Sequence, residues 1–124
     1  MKLTLEQIKQ ITFGALNVQV TENGFEFNRC TPKQVAAWYE ADRELGLRAE
    51  KTTGVRLDFH TNAKPLPLQP TMGDTYEVQL DGLPRHRFHA GDYIEIDQPV
   101  VLPLGEGEKR VTVILPSHTR GALR

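Results

Sequence analysis

Cysteine is almost absent from this chain: Cys30 stands alone among 124 residues. No intrachain disulfide can form, so the fold must rest on a packed core, and a reducing, cytoplasmic setting is expected. An excess of one charge sign is missing too, because 15 Lys and Arg against 16 Asp and Glu leave a formal charge of -1. Attraction to nucleic acid or to an anionic membrane by bulk electrostatics is therefore not expected. No apolar run approaches the roughly 20 residues that cross a bilayer. Near the N-terminus Glu6 and Gln7 interrupt the apolar positions before they extend into a signal-peptide core, so no leader is expected. At 39% hydrophobic, the length suits one core, and residues 1–124 read as a single domain with no room for a second, catalytic one.

The residues that are present read mainly as strands. Leu16, Val18 and Val20 alternate, Asn23-Gly24 supplies a tight turn, and Phe25 and Phe27 alternate on the return, which predicts a hairpin over 15–28. The period then changes. Thr31 as N-cap, Pro32 at the first helical position and Gln34 as capping-box partner predict a helix from Pro32, with Val35, Trp38, Tyr39 and Leu45 on an apolar stripe and Gly46 near its end. Trp38 and Tyr39 are expected to be core residues docking that helix. From Gly54 onward, extended segments are expected at 54–61, 65–70, 75–80, 84–89, 93–102 and 109–115, separated by glycine-rich turns. Pro65, Pro67 and Pro70 limit the second of these to a sheet edge or an extended connection, since proline donates nothing to a ladder.

The strand at 54–61 carries the most specific pattern. Val55, Leu57 and Phe59 alternate with Arg56, Asp58 and His60, so one face meets a core while the other presents a cation, a carboxylate and an imidazole in a row. The block Thr52-Thr-Gly-Val-Arg-Leu-Asp-Phe-His-Thr61 resembles one in the N-terminal β-sandwich domain of bacterial SGNH (GDSL-type) hydrolases. Four further blocks keep the family's order: Ile11–Ala15, Gly24–Arg29, Val78–Gly82 and Gly107–Pro116. The chain departs from that pattern at His60, where the family usually has Arg, and at Asn62-Ala63, where an Asp-Ser pair is usual. The resemblance implies a mostly β, jelly-roll-like sandwich with one amphipathic helix, serving as a non-catalytic module. Its parent would be an esterase or deacetylase acting on acylated small molecules or carbohydrates. The partner it implies is a catalytic SGNH domain downstream in the same protein.

The residues themselves offer no catalytic set. Gly73-Asp74-Thr75-Tyr76 and Gly91-Asp92-Tyr93 stand where Gly-Asp-Ser would be sought, and no Asp-x-x-His occurs. The segment after Thr75 is strand-like, whereas a nucleophile turn leads into a helix. No catalytic residue and no cofactor is therefore assigned. Substrate-binding or domain-docking candidates are Arg56, Asp58, His60, Tyr76 and Tyr93, with a cross-strand charge network as the plainer use of the first three. An alternative is a cupin-type metal site from His86, His89 and Glu95. Its histidines lie three apart and are expected on opposite faces of a strand. A second alternative is an independent glycan-binding module, with aromatic rings as the platform for an acylated carbohydrate. After Pro116 an alternating segment starts and stops at Arg124, so an unfinished strand with self-association through an open edge is expected.

Overall fold

The computed structural model of the chain describes residues 3–124. A short helix that the apolar pattern does not announce comes first: α1 (Leu5–Ile11), held by a capping box in which the Thr4 hydroxyl accepts the Gln7 N–H and the Gln7 side chain accepts the Thr4 N–H. After β1 (Thr12–Phe13), β2 (Asn17–Thr21) and β3 (Gly24–Asn28) form the expected hairpin. Thr21 pairs with Gly24, so Glu22-Asn23 make the loop and Gly24 carries the positive φ, at 94°.

The single helix expected from Pro32 to about Gly46 is two helices, α2 (Pro32–Ala41) and α3 (Arg43–Glu50). Asp42 breaks the run. Its backbone is extended, and its Oδ1 accepts the Glu44 N–H at 2.8 Å, so one residue ends α2 and caps α3. The start of α2 is as expected, with Thr31 and Gln34 in a capping box and Pro32 in the first turn. The expected burial of its stripe is not found: α2 buries none of its residues and Trp38 is 47% exposed. With a break at Asp42, α2 and α3 pack chiefly on each other, so the stripe is spent there rather than on the sandwich.

The remaining elements are β4 (Arg56–Thr61), β5 (Pro65–Leu68), β6 (Pro70–Met72), β7 (Thr75–Leu80), β8 (Leu83–His89), α4 (Gly91–Ile94), β9 (Val100–Pro103), β10 (Lys109–Ile114) and β11 (Ala122–Leu123). The strand expected over 93–102 begins instead as the helical turn α4, and only its end is extended. All pairings are antiparallel. One sheet runs β1-β4-β10-β7-β8, a second β2-β3-β11-β6, and β5 with β9 makes a separate ribbon. The proline-rich segment thus takes the edge position its composition dictates.

The fold is mostly β, with antiparallel sheets contributing to one apolar core. Val55, Leu57, Tyr76, Val78, Val111 and Val113 come from the first sheet and its approach, Val18, Phe25, Phe27 and Leu123 from the second, Val100 and Leu102 from the ribbon. The terminal strand is not an unfinished edge. β11 lies inside the second sheet, paired with β3 on one side and β6 on the other, and Ala122 and Leu123 are buried.

Candidate functional site

The alternation of β4 places Leu57 in the core and turns Arg56, Asp58 and His60 to the other face, as expected. There Asp58 is gripped by Arg110 of β10, whose Nε donates to Oδ1 at 2.9 Å while Nη2 donates to Oδ2. The pair is diagonal, because Thr112 lies opposite Asp58 and Arg110 lies opposite His60. Hydrogen bonding from Arg110 holds the Asp58 carboxyl below its ordinary range, and the same bond raises the guanidinium. Arg56 sits over the Phe13 ring, 5.2 Å from its centroid. These groups answer one another. The face is a cross-strand charge network, with His60 exposed beside it.

Tyr76 is not a surface platform. It is fully buried, stacked on Phe88 at 5.5 Å between centroids, and its hydroxyl lies 2.6 Å from the Met72 carbonyl and accepts the Ala122 N–H at 3.0 Å. Burial pushes its phenol up. Tyr93 is half-buried and meets Phe88 edge-on at 5.8 Å. Both candidates therefore belong to an aromatic cluster of the core rather than to a ring surface for sugars.

The alternative metal set is not assembled either. A bulge at Val78/Gln79 shifts the register of β7 and β8, placing His86 opposite Val78 and His89 opposite Thr75. His86 Nε2 is 2.8 Å from the Pro103 carbonyl, and His89 Nδ1 is 3.3 Å from the Thr75 hydroxyl. Glu95 closes the turn of α4. Among the described residues no three His, Cys, Asp or Glu side chains converge as ligands would. Among the described residues the Thr75–His89 contact also lacks a third member. Asp74, the nearest acid in sequence, accepts from the Thr75 N–H at 2.6 Å and from the Thr119 hydroxyl at 2.9 Å instead of orienting the imidazole.

Where the structure does offer concavity is a groove of about 610 Å³ between the β2–β3 hairpin and the helical segment. Asn17 and Gln19 of β2 face across to Asn28 and Glu26 of β3 on the side opposite Val18 and Phe27. Leu16, Cys30, Pro32, Val35 and Ala49 give the walls, and Arg29, Thr31, Glu50 and Arg120 complete the lining. Arg29 is spent on the end of α3, donating to the Lys51 carbonyl at 2.6 Å and the Arg48 carbonyl at 2.7 Å. Arg120 bridges the buried Glu26 and, at 3.4 Å, Glu50. Beside it, the Glu50 carboxylate raises the Tyr39 phenol. Sequence reasoning missed this site. The alternating polar positions 17, 19, 26 and 28 were legible, but the residues that close the groove come from distant parts of the chain.

No family model matches the chain and no curated protein matches it. Among solved structures, the salicylyl-acyltransferase SsfX3 from a tetracycline biosynthetic pathway is similar to it. The TM-score is 0.67 at 21% identity, over 91% of this chain and 34% of that one. The likeness is one of fold, and this chain spans about a third of the acyltransferase's length.

Proposed function

We propose that the chain is a non-catalytic β-sandwich module of an acyl-handling enzyme, an SGNH-type esterase or deacetylase on acylated small molecules or carbohydrates. Its work is to pack against a catalytic domain of the same protein and to help shape that domain's cleft. The observation that carries the reading is the fold match to a third of an acyltransferase, which leaves most of that protein for other parts. Acyl transfer to a hydroxyl and acyl transfer to water use the same activated nucleophile and acyl intermediate, so an acyltransferase neighbour and an esterase parent are chemically close. The sequence blocks around Arg56–Thr61 point the same way, and the Thr75–His89–Asp74 geometry supports a module without its own triad.

The test compares the isolated chain with the full product of its gene on an activated acyl ester. The isolated chain is expected to match the buffer control, while the full product turns over and loses activity when its nucleophile serine is replaced. Turnover by the isolated chain that disappears in Thr75→Ala overturns the reading, as does a full product that ends at Arg124.

A further inference from the structure

The groove beside the β2–β3 hairpin is chemically specific in a way the accessory-module reading does not use. Its floor carries side-chain amides from Asn17 and Gln19, both exposed, and from the half-buried Asn28. Each amide offers a donor pair and an acceptor side by side. Its charges are already answered. Arg29 is committed to two backbone carbonyls, and Arg120 is neutralised between Glu26 and Glu50. An anion finds no uncommitted guanidinium fork there, and a cation finds no carboxylate without an arginine. Leu16, 61% exposed at the groove's lip, and Val35 provide apolar surface that gains by being covered.

We propose that this groove binds a neutral polyhydroxylated ligand, one or two sugar rings in size. Neighbouring hydroxyls on a ring are themselves donor and acceptor at once, so they match the amides of Asn17, Gln19 and Asn28. The C–H faces of the ring match Leu16 and Val35. The volume lies within the range of about 300–1,000 Å³ typical of small-molecule sites. The site differs from the candidates Tyr76 and Tyr93 and from the Arg56–Asp58–His60 face. It stands whether or not a catalytic domain accompanies the chain.

The experiment is a backbone and side-chain amide NMR titration of the intact chain with cellobiose, maltose and N-acetylglucosamine, alongside gel retardation in soluble β-glucan. Saturable shifts confined to residues 16–19, 28–32, 49–50 and 120 are expected. Gln19→Leu should weaken binding about tenfold with spectral dispersion retained, as loss of paired hydrogen bonds predicts, and the exposed control Glu108→Ala, outside the groove, should leave it unchanged. Retardation in the gel with weak binding of free sugars assigns the ligand to a polymer, and the reverse assigns it to a free sugar. No saturable shift and no retardation with these probes overturns the proposal. So do shifts mapping to the Arg56–His60 face, or tighter binding of inorganic phosphate.

Discussion

The ring of Tyr39 packs directly on the bare Cα of Gly46, so that a Cβ at position 46 would overlap Cγ and Cδ1 and lie 2.6 Å from Cδ2. Gly46 lies inside α3, where alanine is ordinarily better than glycine by about 1 kcal/mol. Overpacking against the root of a ring costs about 1–3 kcal/mol and opposes that gain. Gly46→Ala is therefore expected to lower the unfolding midpoint, and Tyr39→Ala in the same chain to relieve part of the loss. A raised midpoint in the single variant would show that Tyr39 swings aside freely and that α2 and α3 are not closely packed.

Trp38 and Thr31 should rank opposite to what their residue types suggest. A core tryptophan costs about 3–5 kcal/mol on truncation, but Trp38 is 47% exposed and α2 has no buried residue. Trp38→Ala is expected to cost less than about 1 kcal/mol, in the range of surface substitutions. Thr31→Ala removes a cap whose hydroxyl accepts the Gln34 N–H at 3.1 Å, and should cost about 1 kcal/mol or more. Chemical denaturation of both variants decides the order.

That reversal shows where the sequence was legible. Period-two patterns read correctly at Val55, Leu57 and Phe59 and at Phe25 and Phe27, because a strand's face is fixed by position alone, while Leu16 and Val20 run past the edge of the core and are exposed. Helical periodicity located α2 but not its neighbour: Val35, Trp38, Tyr39 and Leu45 look like one stripe until Asp42 caps a new helix. Tyr76 and Trp38 exchanged roles for a related reason. Which aromatic is buried depends on what lies opposite, and Ala122 reaches Tyr76 across 46 positions. The groove was hidden by the same non-locality, since Arg120 and Asn17 line one cavity from positions far apart in the chain.

Acid should loosen the first sheet through Asp58. Its carboxyl is held low by Arg110, so its contribution to stability is present above the unfolded value of about 4 and is lost as pH falls through the folded one. Arg110 is half exposed, so solvent screens the pair and keeps its contribution small. Asp58→Asn should lower stability at neutral pH and flatten part of the decline below about pH 4. It should not flatten all of it. Burial works against ionisation of Asp74, but the Thr75 N–H and the Thr119 hydroxyl outweigh it, so Asp74 is also held low. Unfolding curves with the same pH dependence in Asp58→Asn and the unmodified chain would show that the Arg110 pair is formed in name only.

The last strand is held from the first sheet. The Tyr76 hydroxyl accepts the Ala122 N–H at 3.0 Å, and the Thr52 hydroxyl donates to the Pro116 carbonyl at 2.7 Å and accepts the Gly121 N–H at 3.2 Å. Tyr76→Phe leaves a buried N–H and the Met72 carbonyl short of a partner, and is expected to cost about 1–3 kcal/mol. Deleting residues 121–124 goes further, because β11 lies between β3 and β6 and its loss opens the backbone of both. Strands with unpaired N–H and C=O groups take them from another copy, so the shortened chain is expected to self-associate as well as to melt earlier. Sedimentation of the two variants separates the effects: Tyr76→Phe should remain in the state of the unmodified chain, while the deletion should move to larger species with rising concentration. A deletion that keeps both the midpoint and the size of the unmodified chain would show that β11 does not close the second sheet.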